Sequence, residues 1–507
     1  MKPTNFIDRA LLYFAPKTAE QRIRARMRTN YLIARSGYDS AGGGSRGMRT
    51  VNTSQNTESR RALRFIRNNV RELERNCIYI GTALDVIQGR TVGMGIKPKA
   101  KHPTNKRKQK LAQALMDEWC KSTECDYSGK LNFYGMQSLS IRTIAFAGES
   151  LFVKRITTDR RMKVPLRLEL LEGDFIDETK DARGLGDQSN ILGVKYANGR
   201  PSHFFLHPYH PGDYGMYGDS TATPAELIAH GFDVLRPGQA RGMPWGYATL
   251  MKIRGLEDFQ DARIEQQRIA ACLVGAIYSD DDEAGVDQDG QPVKPDPLPE
   301  TMSPGQLLRL AYGEKASFNN PPSVSGQDTF IKGEERLIAK AYGITYESMT
   351  GDYSLVNFAS GKMGSIEMYQ NIDRWRHQIL IPQQLKKVEQ WWIEAALFVG
   401  HDIEGVTFDW TPPKKDILDL KNELPAIISE VRAGMNSLQG ALRERGYDVE
   451  TVLREISEDL KMMDELGLVL DIDPRKVTKS GQFQSASGGT PQQSTGEDEN
   501  EEDEENA

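Results

Sequence analysis

The sequence lacks the patterns that mark membrane and secreted proteins. No apolar run approaches the roughly 20 residues that a helix needs to cross a bilayer, and the first residues lack the apolar core and cleavage site of a signal peptide. Four cysteines among 507 residues are too few for a disulfide framework. Hydrophobic residues make up 38% and charged residues 27%. These values predict a soluble protein of two or three domains, with no membrane partner, in a reducing compartment such as a cytoplasm.

Catalytic signatures are also missing. The sequence contains no Gly-x-x-x-x-Gly-Lys phosphate loop, no His-Glu-x-x-His and no Gly-x-Ser-x-Gly. The glycine pairs Gly93/Gly95 and Gly184/Gly186 are too short for a nucleotide fingerprint and are typical of loops. No pair of carboxylates stands out as acid and base, and no acidic metal cluster stands near basic residues as in a nuclease. The sequence predicts a protein that is not an enzyme and uses no cofactor.

Two groups of potential metal ligands have simpler explanations. His207 and His210 lie near Asp213, but a proline follows each histidine and prevents a helical face, so a loop is favoured over a metal site. Cys120 and Cys125 have no second pair of cysteines and are predicted to be ordinary buried thiols. No metal site is therefore predicted.

Charge is distributed unevenly along the chain. Residues 1–110 contain 24 lysines and arginines against 7 acids, a net charge of +17, so the remaining 397 residues carry −23. Glu497–Glu505 consists of eight acids and one asparagine. A basic arm and an acidic tail can both bind partners, or they can simply be two solvated, mobile termini. The arm is marked by alternating arginines: Arg22, Arg24, Arg26 and Arg28.

Sequence patterns predict an α+β domain that ends near Trp245. Apolar residues at helical spacing predict helices over 58–87 and 108–120. Short β-like runs follow at 149–156 and 166–171.

A hairpin is also predicted in this domain, with strands over 191–196 and 203–206. Asn198-Gly199 lies between them and accepts the positive φ of a type I′ turn.

The second half is predicted to be mainly helical. A helix over 247–274 and another over 327–342 flank a segment rich in Asp, Gly and Pro, which has a β-like run at 307–312. A loop with three glycines is predicted over 343–361. The remaining patterns predict a long helix over 362–399 that is interrupted at Pro382, short helices at 423–432 and 449–463, and a polar, low-complexity tail from residue 473.

Two stretches carry a resemblance to a known family. One is residues 230–245, which contain Leu235-Arg236-Pro237-Gly238-Gln239 and lead into the helix with Leu256-Glu257-Asp258-Phe259. The other is Gly343-Ile344-Thr345-Tyr346-Glu347, followed by Gly351-Asp352-Tyr353-Ser354 and Asn357-Phe358-Ala359-Ser360. Together they resemble the portal proteins of tailed bacteriophages, specifically the lambda-like portal family.

Shorter matches in the same order extend the resemblance over roughly residues 38–400. They include Tyr38-Asp39-Ser40-Ala41, Arg67-Asn68-Asn69, Arg75-Asn76, Val92-Gly93-Met94-Gly95-Ile96-Lys97-Pro98, Gly148-Glu149-Ser150 and Leu170-Leu171-Glu172-Gly173-Asp174. One departure is Lys362, where the family tends to have an arginine, so the charge is kept and a bidentate guanidinium contact is not.

The resemblance implies a portal fold: an α/β wing, a helical stem, a small α/β clip and a C-terminal helical crown, assembled as a ring that is usually a dodecamer. A heterologous interface repeated about an axis closes such a ring. The implied regions are a basic arm (1–60), wing (61–246), stem helix 1 (247–274), clip (275–326), stem helix 2 (327–342), tunnel loop (343–361), long wing helix (362–412), crown helices (413–472) and disordered acidic tail (473–507).

The resemblance also implies a function and partners. The ring would sit at one vertex of the virion capsid, assembled in the host cytoplasm together with the major capsid and scaffolding proteins. The terminase large subunit would dock on the clip and drive double-stranded DNA inward. Head-completion or tail adaptor proteins would later replace it, and DNA would leave by the same route. Expected channel residues are Asp352, Tyr353, Ser354, Asn357 and Lys362 in the tunnel loop and Arg263, Arg268, Lys332, Arg336 and Lys340 in the stem.

Two alternatives remain at this point. A DNA-binding or capsid scaffolding protein could use the basic arm without forming a ring, and an enzyme such as a nuclease could have an unrecognised site. A nonspecific DNA binder is expected to keep its basic excess along the folded part, whereas here that excess lies mainly in the first 110 residues.

Overall fold

The computed structural model describes residues 52–159, 161–182, 189–213, 218–271, 275–279, 314–318, 327–413, 420–445, 447 and 449–468. The chain divides into two units, residues 1–62 and 63–507. The described part of the first unit contains the start of helix α1, Gln55–Asn76, which continues into the second. No helix among the described residues is long and apolar enough to cross a membrane.

The helices of the predicted wing differ from expectation in number. The pattern over 58–87 predicts one helix, but the structure has two, α1 and α2 (Ile78–Thr91), because the backbone of Cys77 is extended between them. Helix α3, Lys106–Lys121, confirms the second prediction, and the side chain of Asn105 caps it. Helix α4, Phe133–Ala147, was not predicted. Nine of its fifteen residues are buried, so it lacks the polar face that would reveal a helical period.

Two antiparallel sheets complete this half of the chain. The strands of the first are β2 (Glu149–Ile156), β3 (Leu166–Glu172) and β8 (Ile228–Phe232), in the order β3-β2-β8. This confirms the two strands predicted at 149–156 and 166–171. The second sheet has four strands in sequential order: β4 (Ser189–Ile191), β5 (Val194–Ala197), β6 (Arg200–Leu206) and β7 (Thr221–Pro224).

The predicted Asn-Gly hairpin is present, and a second hairpin precedes it. Asn198 and Gly199 have φ values of 51° and 73° and join β5 to β6. The single strand predicted over 191–196 is wrong, because Leu192 and Gly193 also have positive φ and turn the chain between β4 and β5. A Cβ at Gly193 would lie 2.5 Å from the carbonyl oxygen of Asp177, so the sequence places glycine there.

A helix–hairpin–helix unit follows. Helix α5 spans Leu250–Ala271 after a 3-10 turn, and helix α6 spans Gln327–Tyr342. Between them, β9 (Gly275–Ser279) pairs antiparallel with β10 (Glu314–Phe318). The β-like run predicted at 307–312 lies outside the described residues.

The segment predicted as a continuous loop over 343–361 is partly helical. Tyr346–Thr350 form helix α7, and helix α8 begins at Phe358 and runs to Arg374. Both helices begin at a side-chain cap, Thr345 for α7 and Asn357 for α8. The prediction failed because capping residues also occur in loops, and α7 is only one turn long.

The long helix is widened rather than broken at Pro382. A π-helical segment, Trp375–Leu385, follows α8 and leads directly into α9, Lys386–Phe398. Proline cannot donate the usual helical hydrogen bond, and a π-helical turn changes the pairing around it. The prediction of one long helix over 362–412 is wrong at its C-terminal end. There β11 (Thr407–Thr411) follows α9 and pairs antiparallel with β1 (Lys97–Lys101). The remaining helices are α10 (Leu420–Arg432), α11 (Leu438–Glu444) and α12 (Val449–Leu466).

The main core lies where α2, α4, α8, the π-helical segment and α9 meet. Trp245 and Trp375 stack there with ring centroids 4.6 Å apart. The buried residues that α5 and α6 contribute to this core lie at the start of α5 and the end of α6, and the partly buried Ile331 of α6 also packs against it. The buried residues are Leu250, Ile253 and Leu256 in α5 and Ile338, Ala339 and Tyr342 in α6.

Candidate functional site

Helices α5 and α6 pack side by side in opposite directions. The rings of Phe259 and Phe330 meet edge to face at 5.3 Å, and the Lys252 amine lies 3.1 Å from a carboxylate oxygen of Glu334. On the α2 side, the hydroxyl of Tyr79 accepts a hydrogen bond from Gln260 at 2.7 Å and donates one to Glu335 at 2.9 Å. The two helices therefore form one antiparallel unit that is fixed to α2.

Most of this helical pair is not buried by the other residues that the structure describes. No side chain in 257–268 of α5 or in 327–337 of α6 is buried. Three large apolar side chains, Ile264, Phe330 and Leu337, are each about half exposed. Exposed apolar side chains that form a contiguous patch can mark a protein–protein interaction site.

The basic residues predicted to line a channel are neutralised in part by nearby acids. On α6, the Lys332 amine lies 3.1 Å from Asp352, and the Lys340 amine lies 3.3 Å from Glu367. The guanidinium of Arg336 stacks over the Tyr346 ring at 5.4 Å. The structure thus links the α6 cations to segment 343–361 and to α8.

The two α5 cations are placed differently. Arg268 approaches Glu265 on its own helix at 3.5 Å and is largely exposed, and Arg263 is half-buried. Neither forms an ion pair with the described residues of 343–361. The predicted basic arm, with Arg22, Arg24, Arg26 and Arg28, lies outside the described residues.

Asp352 organises the segment between α7 and α8. One carboxylate oxygen accepts hydrogen bonds from the hydroxyl and main-chain N–H of Ser354, at 2.5 and 3.0 Å, and the other lies 3.1 Å from both Lys332 and the Tyr346 hydroxyl. The hydrogen bonds from Ser354 and Lys332 lower the pKa of Asp352, so it is a carboxylate at neutral pH. Asp352 and Ser354 are therefore committed to contacts within their own chain.

The other predicted loop residues have separate roles. Asn357 caps α8 in a capping box with Ser360, and Lys362 lies 2.7 Å from Glu423 on α10. Tyr353 is 62% exposed, and its neighbour Leu355 is 76% exposed. Of the predicted set, Tyr353 is the aromatic residue, and its ring is largely exposed.

A cavity of about 290 Å³ lies beside this segment. Its wall includes Tyr353, Asn357 and Lys362 together with Arg90, from the end of α2, and Tyr369, from α8. The segment thus has open space on one side and is attached at its two ends.

A buried ionic network joins several elements of the α+β half of the chain, and the sequence analysis assigned it no role. Glu149 has no exposed side-chain area. Its carboxylate accepts hydrogen bonds from Arg67, from Arg241 at 2.8 Å, from His230 at 2.7 Å and from the main-chain N–H of Gly242 at 3.0 Å. Burial alone would raise the pKa of Glu149, but the charges of Arg241 and Arg67 and the hydrogen bond from His230 hold it well below its usual value.

The two arginines of this network also bind the main chain. Arg67 donates to the carbonyl of Ala147 at 2.8 Å, and Arg241 donates to the carbonyls of Leu192 and Gly173 at 2.7 and 2.6 Å. The network therefore joins α1, both wing sheets and the segment before α5. Its members come from the short motifs that carry the family resemblance: 67–69, 148–150, 170–174 and the stretch 230–245.

One cluster of potential metal ligands occurs among the described residues. One atom each of Glu172, Asp174 and His210 lies within 4.8 Å of the others. Arg71 forms ion pairs with both carboxylates, at 2.5 Å from Asp174, so a guanidinium already supplies the positive charge there. The geometry is that of an ion-pair cluster, in which His210 approaches Glu172 at 3.8 Å.

The comparisons with known proteins identify the family. Residues 41–376 match the family model of the phage portal protein, lambda family. The chain belongs to the lambda family of phage portal proteins. The resemblance noted in the sequence is confirmed, and the function is that of a phage portal protein, a component of the virion.

Individual relatives agree with this membership. The portal protein is 26% identical over 377 residues to a probable portal protein of Halomonas phage phiHAP-1, covering 71% of this chain and 72% of the relative. It is 20% identical over 489 residues to the portal protein of Escherichia phage N15, covering 83% and 89%. Among solved structures, a chain from the neck of a native gene transfer agent particle matches with a TM-score of 0.46 at 14% identity, over 75% of the portal protein and 94% of that chain.

Proposed function

We propose that the portal protein assembles into a closed ring of twelve copies at one vertex of the capsid and that double-stranded DNA passes through the ring. The observation that carries this proposal is the α5–α6 pair. Its buried residues lie at the start of α5 and the end of α6, and Ile264, Phe330 and Leu337 are about half exposed, as expected for a stem that neighbouring copies cover. A repeated heterologous contact between stems closes a ring.

The charge pattern of α6 suits a passage better than a binding groove. Each phosphate contact adds salt-dependent affinity, and strong contacts would slow sliding. Lys332 and Lys340 are paired with acids, which weakens their attraction for DNA. DNA would therefore be guided without being held.

The segment 343–361 is proposed as the part that reaches into the channel. Tyr353 and Leu355 are its most exposed large side chains, and the cavity beside it leaves room for the segment to shift as DNA moves. Asp352 and Asn357 form its two attachment points. We infer that the mobile contact is made by 353–356 alone.

The proposed partners follow from this role. The terminase large subunit would dock on the β9–β10 end, and head-completion or tail adaptor proteins would replace it after packaging. The major capsid and scaffolding proteins would surround the ring during assembly in the host cytoplasm. We also propose that the portal protein is not an enzyme, which agrees with the missing catalytic motifs and with the use of the Glu149 cluster as a structural network.

Substitution on the stem tests the ring interface. L337E and I264E place charges on the exposed apolar stem and are expected to leave the wing folded while reducing ring assembly at least tenfold, as measured by mass photometry. L337M and I264V keep the apolar surface and are the matched controls. Normal rings from both charged variants would show that the stem is not the interface. The absence of rings in the wild-type protein would instead favour the second candidate, a DNA-binding or scaffolding protein that forms no ring.

Substitution in the channel segment tests the passage. Y353G/L355G keeps Asp352 and Asn357, so rings are expected to form and enter proheads while terminase-driven packaging or DNA retention fails. Packaging at the wild-type level would contradict the assignment of 353–356 to the channel.

A further inference from the structure

A basic surface outside the stem takes no part in the function proposed above. It is formed by β1 and the start of α3, and residues 97–110 contain seven lysines and arginines and no acid. The seven are Lys97, Lys99, Lys101, Lys106, Arg107, Lys108 and Lys110. We propose that this basic surface binds the phosphate backbone of double-stranded DNA outside the channel.

Strand β1 displays its lysines in a row. Pro98 and Ala100 are buried, so Lys97, Lys99 and Lys101 share the opposite, accessible face. Residues two apart on a strand are about 6.7 Å apart. The phosphates of one DNA strand follow a helical path with an axial rise of about 3.4 Å per nucleotide, so neighbouring lysines of the row can contact different phosphates.

The row is held rigidly beside α3. The side-chain amide of Gln113, on α3, donates to the carbonyl of Pro98 at 3.1 Å and accepts from the N–H of Ala100 at 2.7 Å. It therefore pairs with one edge of β1 as a neighbouring strand would, while β11 pairs with the other edge. The lysines of β1 and the cations of α3 thus form one preorganised surface, which reduces the ordering cost of binding.

Acids neutralise only part of this surface. Lys101 pairs with Asp409, and the Lys108 amine lies 2.5 Å from Asp402. Glu404 is also nearby, and its main-chain carbonyl contacts the His102 ring at 3.2 Å.

Four other cations have no acidic partner among the described residues: Lys97, Lys106, Arg107 and Lys110. Some other cations in this half of the chain are paired with acids, for example Lys163 with Glu118 at 2.6 Å and Arg155 with Glu169 at 2.7 Å.

The placement of the α3 cations is unfavourable for the helix itself. Lys106, Arg107 and Lys108 stand in the first turn, which contains no acid. The N-terminal end of a helix already carries partial positive charge, so cations there destabilise it. A bound anion would reduce this repulsion.

The exposed side chains favour a nucleic acid over a protein. Protein interfaces depend on aromatic and large aliphatic anchors, and between residues 97 and 110 the exposed side chains are lysine, arginine, proline and threonine. The phosphate backbone needs only cations. DNA is the polyanion with which a portal protein works, and the surface lies on the wing rather than on the stem.

The test uses DNA that cannot enter a closed ring. A covalently closed circular plasmid is bound to full-length protein by filter binding over a series of salt concentrations. K97Q/K106Q/R107Q/K110Q is compared with wild type and with R155Q/R161Q/K163Q/R167Q, which removes the same charge from paired wing cations. We expect the first variant to reduce the magnitude of the negative slope of log K against log salt by about 3 to 4, at about 0.9 per phosphate contact, and the second by less than about 1.

Two outcomes would overturn the proposal. The first is an unchanged slope in K97Q/K106Q/R107Q/K110Q, or an equal loss in both variants. The second concerns the acidic tail and uses a labelled peptide of residues 494–507. If K97Q/K106Q/R107Q/K110Q no longer binds this peptide but still binds the plasmid, the surface is a binding site for the tail. Ring formation by mass photometry is followed in parallel, so a failure of the ring proposal is distinguishable from a failure of this one.

Discussion

Replacing Glu149 with glutamine tests the buried network most sharply. E149Q keeps the shape of the side chain but removes the charge that faces Arg67 and Arg241, whose side chains have no exposed area. Glutamine also replaces one carboxylate oxygen, an acceptor, with an amide NH2 group, a donor. That group would face another donor: either an arginine, or His230 and the main-chain N–H of Gly242. Removing one partner of a buried ion pair costs about 3–5 kcal/mol because the other charge is left uncompensated.

The assay is urea unfolding of the full-length protein followed by tryptophan fluorescence. E394Q is the matched control, because Glu394 pairs with Lys154 at 2.6 Å but is 64% exposed, and exposed pairs contribute less than about 1 kcal/mol. We expect a large downward shift of the urea midpoint for E149Q and almost none for E394Q. Equal midpoints for E149Q and wild type would refute the claim that this network holds the wing together.

The pH dependence of the same pair of proteins gives a second test. The pKa of Glu149 is lower in the folded state than its ordinary value of 4.5. A carboxylate whose pKa is lower in the folded state than in the unfolded state stabilises the fold at pH values above its unfolded-state pKa. This contribution is lost progressively as the pH falls below that value. The stability difference between wild type and E149Q is therefore expected to be constant between pH 6 and 8 and to shrink below about pH 4.5. A difference that does not shrink in acid would contradict the assignment.

Other predictions address single elements. G242A is expected to give insoluble protein, because a Cβ there would lie 2.0 Å from the carbonyl oxygen of Gly148, whereas G255A, with open space around it on α5, is expected to be soluble. N357A is expected to lower the free energy of unfolding by about 1 kcal/mol through loss of the α8 cap and N357D by much less, measured by urea denaturation. Deletion of residues 2–36, which removes Arg22, Arg24, Arg26 and Arg28, is expected to leave soluble rings and reduce head assembly; loss of soluble rings would show that the arm belongs to the fold.

Local patterns predicted the elements that carry a periodic signal. Helix α6 and strand β2 have the predicted bounds because amphipathic spacing and a β-like run mark them directly. Helix α4 was missed because it is buried on most sides, and β11 was missed because its pairing with β1 joins residues about 310 positions apart. Such long-range pairing leaves no local signal.

The candidate site was predicted less completely than the fold. The sequence placed Asp352 and Asn357 in a loop of 19 residues, but their side chains are used to anchor and cap it. Conversely, Arg67, Glu149 and Arg241 were noted only as parts of short motifs, and their convergence required the three-dimensional structure. The sequence indicated this network only through opposite charges in separate short motifs, with arginines at 67 and 241 and a glutamate at 149.

The central claim is that the portal protein forms a closed ring, and mass photometry of the full-length protein over a range of salt concentrations tests it most directly. We expect a dominant species at twelve times the 56.9 kDa mass of one chain, with a central hole in negative-stain images of the same sample. Monomers or dimers alone at every salt concentration, with no rings in the images, would contradict it.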